Sequence, residues 1–423
     1  MVKVILNRLK SAMINISVGI LNLFIHRDKK ILLFGAWMGS KFADNSRFWF
    51  QYLHENKCKY GIKKLIWVTR NEKVYTEMLE MGYEVYMMKS FKSLYWHLKA
   101  GVHVVCNMYA QTGKYPGDIL GELSIGAIKI QLWHGVGIKA SAKTTNDSKN
   151  YERSMSIKRR ILRYINGLYV YSHFVLYPGG WDRAYYLTTS PENTRVMKAC
   201  YGIYDKLVIE SNYPREINDF ILMKKEIEVI NTLRGKFRHV ILYLPTFRDG
   251  RDSYSNYVHP LSMPGLLEYL ACNNCVWIEK EHSASTYNET NNYSSNVYKL
   301  ESDFDINTIY QYVNLLITDY SSASSDCVFR WVKTLYFVPD FEEFKNKDRG
   351  FVSEYEKYCP GYIVKKPDEL VQYIDKAFNE NFFDEQMTKR YKETIRLLFD
   401  NKKCDLDNIS RDIFTSIGVW EKS

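Results

Sequence analysis

Apolar residues in this chain fall into short, regularly spaced runs with longer stretches of helical periodicity between them. Lys30-Ile31-Leu32-Leu33-Phe34-Gly35 is the first such run, and a polar loop and an aromatic helix-like stretch from Ser46 to His54 follow it. The rhythm continues through Lys64–Val68, Gly82–Tyr86, Gly101–Cys106 and Ile128–Trp133. A second series runs through His239–Leu244, Cys275–Ile278, Leu315–Thr318 and Thr334–Val338. Continuous β-rich runs, as opposed to alternating ones, suit strands buried on both faces, and the helical stretches between them supply the crossovers that parallel strands need. The pattern predicts an α/β protein with two Rossmann-like lobes and a cleft between them, where such sheets bind ligands at strand carboxyl ends. Residues 31–215 form the first lobe and residues 216–423 the second, with helical C-terminal segments from Phe383 onward packing back across the lobes.

Residues 1–30 stand apart. Polar positions recur at Lys3, Asn7, Lys10, Ser11, Asn15, Asn22 and His26, close to a helical period, and most of the rest are Val, Ile, Leu, Met or Phe. The uncharged stretch from Ser11 to Ile25 is shorter than the roughly 20 apolar residues a spanning helix requires. An amphipathic helix lying in a membrane interface is therefore expected there, with a helix buried against the body and a signal or true span as the competing readings.

At 423 residues, with 46% hydrophobic and 15% aromatic residues, the chain can bury two substantial cores, and it lacks the composition of a polytopic membrane protein. Eight scattered cysteines do not resemble a dense disulfide framework. The net charge of +10 is concentrated in two places. One is the amino-terminal segment, with Lys3, Arg8, Lys10, Arg27, Lys29 and Lys30. The other is residues 139–165, with Lys139, Lys143, Lys149, Arg153, Lys158, Arg159, Arg160 and Arg163. Two basic segments on a nearly neutral body suit a local anionic surface or ligand, and argue against a nucleic-acid partner, which would need broader positive coverage.

Four strand-end segments carry candidate chemistry. In Gln131-Leu132-Trp133-His134-Gly135-Val136-Gly137-Ile138-Lys139, a β-like run ends in a histidine that can reach a cleft, beside glycines that allow close approach. Leu244-Pro245-Thr246-Phe247-Arg248-Asp249 offers a hydroxyl and a guanidinium suited to phosphate. Ile278-Glu279-Lys280-Glu281-His282 brings a second histidine. Leu316-Ile317-Thr318-Asp319-Tyr320-Ser321-Ser322 breaks a buried strand into a hydroxyl-rich turn that could open a helix and take an anion. Singly, each has a structural reading: a turn-capping histidine, a surface Arg-Asp turn, an ordinary Ser cap. The Cys272–Cys275 pair lacks the second pair of a zinc ribbon. The Asp303–Asp305 and Asp405–Asp407 triplets are about as many as composition alone supplies. Dinucleotide, Walker A and nucleophile-elbow motifs do not occur.

Taken together, the ordered set resembles the CDP-glycerol glycerophosphotransferase family of teichoic-acid and related capsule polymer synthesis. Trp133-His134-Gly135 with Lys139 looks like that family's Trp-His-Gly run. Tyr213-Pro214-Arg215 is similar to its Tyr-Pro-Arg segment, and Pro245–Asp249, Lys280–His282 and Thr318–Ser322 match its remaining motifs. Gly137 and Ser283 stand where proline is usual. The resemblance implies a GT-B-like arrangement with the acceptor on the first lobe and a CDP-alditol on the second. It implies His134 and His282 as catalytic residues and Gly135, Lys139, Arg215, Thr246, Arg248, Lys280, Thr318, Asp319, Ser321 and Ser322 as substrate contacts, with neither metal nor cofactor. The implied partners are CDP-glycerol or CDP-ribitol, a lipid-linked phosphate-bearing acceptor and an anionic membrane surface, on the cytoplasmic face. A GT-B nucleotide-sugar glycosyltransferase of surface polysaccharide synthesis and a non-catalytic membrane-bound scaffold are the competing readings.

Overall fold

The structure, a computed structural model, describes residues 13, 17–107, 116–141, 144–146, 184–217, 220–246, 258–280, 295–400 and 404–419. Two parallel sheets organise the chain. The first contains β1 (Asp28–Phe34), β2 (Lys64–Thr69), β3 (Val85–Met87), β4 (Ala100–Val105), β5 (Ile128–Gln131), β6 (Ala184–Thr188) and β7 (Val208–Glu210), in the order β3-β2-β1-β4-β5-β6-β7. The second contains β8 (His239–Leu244), β9 (Cys275–Glu279), β10 (Val297–Lys299), β11 (Leu315–Thr318), β12 (Lys333–Phe337) and β13 (Tyr362–Val364), in the order β10-β9-β8-β11-β12-β13. Both follow the doubly wound order, which reverses direction beside its first strand. The apolar runs of the sequence are the central strands: Leu32, Leu33 and Phe34 of β1 and Leu315, Leu316 and Ile317 of β11 are fully buried.

Helices cover the sheets. Helix Asp44–Glu55 presents Trp49, Phe50 and Leu53 to the first core. Helix Leu370–Asn379 buries Leu370, Ile374 and Ala377 in the second, at the i, i+4, i+7 spacing of one helical face. Helix Glu385–Phe399 starts on Asp384, whose carboxylate accepts from the Met387 N–H at 2.7 Å. It packs on the second lobe through Tyr391, and Leu398 accepts a hydrogen bond from Thr189 of the first at 2.6 Å. Helix Leu406–Ser416 then returns to the first lobe. There Trp49 Nε1 donates to Ser410 Oγ at 2.9 Å and the Trp49 ring meets Phe414 at 5.6 Å.

One segment after β5 joins the lobes. Lys139 pairs with Phe351 as an isolated antiparallel bridge, Ala140 N–H donates to Gly350 O at 2.9 Å, and Val352 N–H donates to Ile138 O at 3.1 Å. The strand-end segment that carries His134 therefore continues directly into contact with the second lobe. Of residues 1–30, where the amphipathic helix is expected, residue 13 and residues 17–30 are described, with 17–24 helical; the others lie outside the described residues.

Candidate active site

The two reversals of strand order place ligand crevices outside the carboxyl ends of β1 and β4 in one lobe and of β8 and β11 in the other. The segments that leave these ends meet one another. His134 sits at their centre. Its Nδ1 lies 3.0 Å from the Cys106 carbonyl at the end of β4. A carbonyl only accepts, so Nδ1 carries the proton and Nε2 of the neutral ring holds the lone pair. The Trp37 and Trp133 rings flank the imidazole at 5.4 and 5.0 Å. Burial lowers the His134 pKa, and the nearby Asp44 carboxylate only partly opposes that shift. The ring is therefore neutral near pH 7.

This placement is held by backbone conformations that side-chain-bearing residues adopt rarely. Trp133 and Asp44 both have φ of 64°. Asn45 Nδ2 donates to Trp133 O at 2.9 Å, and Gln131 Oε1 accepts from the Trp133 N–H at 3.2 Å. Asp118, fully buried, gathers the strand ends, accepting from the Met38 N–H at 2.7 Å and from the Asn107 N–H at 2.7 Å. Strained residues held by several buried bonds are typical of places where geometry serves a function.

The serine turn approaches His134 from the second lobe. At Gly135, with φ of 153°, an added Cβ would lie 2.6 Å from Ser322 Oγ, so only glycine admits this contact. Ser325 Oγ donates to Val136 O at 2.9 Å. Ser321 and Ser322 are half-buried at the opening of helix Ala323–Phe329. Thr318 and Asp319 lie beneath them. Thr318 Oγ1 donates to Leu244 O at 2.7 Å, and Asp319 Oδ1 accepts from the Thr246 N–H at 2.8 Å. These two residues, expected as substrate contacts, tie the β11 turn to the β8 end. Thr246 itself is 3% exposed. Lys139 is half-buried at the bridge to Phe351. His282 and Arg248 lie outside the described residues.

Arg215, expected as a substrate contact, is 3% exposed, and both of its terminal nitrogens bond to protein. Nη1 donates to Asp44 Oδ1 at 2.7 Å and to the His134 carbonyl at 2.9 Å, and Nη2 donates to both oxygens of Asp326 at 2.7 and 2.8 Å. Asp44 belongs to the first lobe and Asp326 to the second. The planar, multi-donor guanidinium is the one basic group able to serve carboxylates on both sides. Arg330 extends the network, pairing with Glu216 and donating to Arg215 O at 2.6 Å. Asp44, Asp118 and Arg330 carry no signal in the sequence, and Asp326 stands there only as the end of the hydroxyl-rich turn, because an isolated polar residue carries no sign that it is buried and paired. Among the described residues no group of His, Cys, Asp or Glu is arranged to hold a metal ion.

Comparison with known proteins identifies the family. Residues 19–405 match the family model described as CDP-Glycerol:Poly(glycerophosphate) glycerophosphotransferase. The teichoic acid poly(glycerol phosphate) polymerase of Bacillus spizizenii is 27% identical over 376 residues, covering 87% of this chain and 88% of that protein. The protein of the same description from Bacillus subtilis is 25% identical over 372 residues, which are 84% of this chain and 45% of that longer relative. The structure of the wall teichoic acid polymerase TagF shares the fold, with a TM-score of 0.64 at 19% identity over 98% of this chain and 97% of that one. A family model spanning nearly the whole chain leads to a single assignment: the chain belongs to the CDP-Glycerol:Poly(glycerophosphate) glycerophosphotransferase family and is a CDP-glycerol-using glycerophosphotransferase.

Proposed function

We propose that the chain extends or primes a lipid-linked, phosphate-bearing acceptor at the cytoplasmic face of a membrane, with His134 as general base. The acceptor hydroxyl attacks the β-phosphorus of CDP-glycerol. Its proton passes to His134 Nε2 as the new P–O bond forms, and the bond to CMP breaks. An alcohol is a poor nucleophile until it loses its proton, and a neutral imidazole held by one nitrogen is suited to accept it. The observation that carries this reading is the His134–Cys106 hydrogen bond, which leaves Nε2 to accept a proton, beside the Gly135–Ser322 contact between the lobes. Ser321 and Ser322 hold the diphosphate, joined by His282, Arg248, Thr246 and Lys280 on the strength of the family motifs. Charge gathering on the departing CMP is thereby offset, the main demand of phosphoryl-type transfer. CDP-ribitol is the alternative donor.

Membrane seating draws support from the surface. On helix 17–24, Ile20, Leu23 and Phe24 are 52%, 72% and 77% exposed. Phe91 and Tyr95 on the neighbouring helix Phe91–Lys99 are 93% and 50% exposed. The two elements are fastened to each other: Arg27 donates to the carbonyls of His97 and Ala100 at 2.8 Å, and Lys99 Nζ donates to His26 O at 3.0 Å. Apolar side chains beside lysines suit an anionic lipid interface. Among the described residues no helix is long and apolar enough to cross a membrane. The basic segment 139–165 lies mostly outside the described residues.

Purified protein is expected to release CMP from CDP-glycerol in the presence of a lipid-linked glycerol phosphate acceptor, and to release no UDP from UDP-sugars. Release of UDP alone would move the chain to the glycosyltransferase reading. Removal of residues 1–28 is expected to shift the protein out of the pellet in sedimentation with anionic liposomes; an unchanged pellet would contradict interfacial seating.

A further inference from the structure

The first N–H groups of a helix have no partner within it, and a side chain just before the helix usually supplies one. Helix Asp44–Glu55 follows Ala43, which has no side-chain acceptor. The acceptor comes from the other lobe, 261 positions along the chain, where Asp305 Oδ2 takes the Asp44 N–H at 2.9 Å. The same oxygen lies 3.7 Å from Arg47 Nη1, one turn further along the helix. The second oxygen, Oδ1, accepts from the backbone and side-chain N–H groups of Asn307 at 3.1 and 2.7 Å. One oxygen of Asp305 thus serves its own lobe and the other serves the first.

The segment around Asp305 is firmly seated. Phe304 is buried in a core of the second lobe, and Thr308 Oγ1 donates to Asp305 O at 2.7 Å. Asp303 accepts from Lys225 of its own lobe at 2.9 Å and lies 3.7 Å from Lys73 of the first, and Lys73 also donates to Glu301 at 3.1 Å. The consequence falls on Asp44, whose φ of 64° is one that a residue with a side chain keeps only where its surroundings hold it. Asp44 Oδ2 accepts from Trp37 Nε1 at 3.0 Å, and Oδ1 accepts from Arg215 Nη1 at 2.7 Å. The Trp37 ring lies 5.4 Å from the His134 imidazole, and Arg215 donates to the His134 carbonyl at 2.9 Å. Two supports of His134 therefore depend on where Asp44 stands.

We propose that Asp305 is a positioning residue for the transfer reaction: from the second lobe it holds Asp44, and through Asp44 it sets Trp37 and Arg215 around His134, so that the base is aligned only while the lobes are together. The inference rests on the functional reading above for His134 as the base, but not for the support of His134 by Asp305.

The test uses the full chain with ring-labelled histidine and the variants Asp305→Ala, Asp305→Asn and Asp303→Asn. The ring resonance of His134, identified by its loss in His134→Ala, reports the placement of Trp37, because an indole this close shifts it through its ring current. Asp305→Ala is expected to displace that resonance. It is also expected to lower kcat for CMP release at least about tenfold while KM for CDP-glycerol stays within about threefold, since a small misplacement of a reacting group costs turnover more than ground-state binding. Asp305→Asn keeps one acceptor oxygen but cannot serve both Asp44 and Asn307, so it is expected to fall between the wild type and Asp305→Ala on both readings. Should Asp305→Ala fail to fold, the displaced resonance and reduced kcat of Asp305→Asn carry the test. Asp303→Asn weakens the same segment without touching Asp44 and is expected to leave both readings close to wild type. A lower melting temperature with an unmoved resonance and unchanged kcat in the Asp305 variants would show a purely structural residue and overturn the proposal. Equal losses in Asp303→Asn would overturn it too, by showing that docking of the segment matters and the Asp44 bond does not. A displaced resonance with unchanged kcat would leave Asp305 as the support of His134 and remove His134 as the base.

Discussion

His134→Ala is expected to slow transfer by about a thousandfold or more while leaving CDP-glycerol affinity within a factor of about three. General-base assistance is worth roughly 10² to 10⁴ in rate. The upper part of that range is expected because the imidazole is bracketed by Trp37 and Trp133 and fixed through Cys106. Donor affinity is spared because the diphosphate is assigned to the second lobe. Single-turnover CMP release and donor titration together give the answer; turnover within tenfold of wild type would remove His134 from the mechanism. The pH profile is a further check. Burial disfavours the imidazolium, so the acid limb of kcat/KM should fall below the usual imidazole value, with activity lost as pH drops through that lowered pKa.

Arg215→Met is expected to destabilise the protein by about 3–5 kcal/mol, as does removal of one partner from other buried ion pairs. The loss strands Asp44 and Asp326, each about 2% exposed, on opposite sides of the lobe junction. It also frees the His134 carbonyl, so the remaining folded protein should be slow as well. Arg215→Lys should rescue little, because one ammonium cannot reproduce two separated pairs of bonds. The double variant Arg215→Met with Asp326→Asn should recover part of the stability, since a neutral amide costs less to bury than an unpaired carboxylate. Denaturant unfolding reads the effect; a cost below about 1 kcal/mol, or no recovery in the double variant, would show that the network is not the hinge between lobes.

Much of the architecture could be read from the chain because the central strands of a parallel sheet are buried on both faces. Continuous runs such as Leu315-Leu316-Ile317 have few other uses. Outer strands were harder to see. Val208–Glu210, Val297–Lys299 and Tyr362–Val364 are three residues each and half exposed, too short to carry a period. His134 was legible from its place after β5 and its glycine neighbour. Its supports were not, since Cys106 contributes only a carbonyl and Asp44 looks like an ordinary helix start. The Asp303–Asp305 triplet, discounted as chance, proved to lie in the interlobe cleft, whereas Asp405 caps a helix and Asp407 binds Tyr60. Arg215 stands out in the sequence, but its contacts with Asp44 and Asp326 do not, because sequence does not distinguish an arginine that grips a ligand from one that grips the protein.

The return of helix Leu406–Ser416 to the first lobe bears on how the molecule is made. Trp49 is among the earliest large aromatics to leave the ribosome, yet the Ser410 hydroxyl and Phe414 ring that cover it are synthesised some 360 positions later. Until then the first lobe carries an open indole on its flank and must wait, partly finished, for the whole second lobe to be translated. Nascent chains stalled before position 406 should therefore be the ones that chaperones retain.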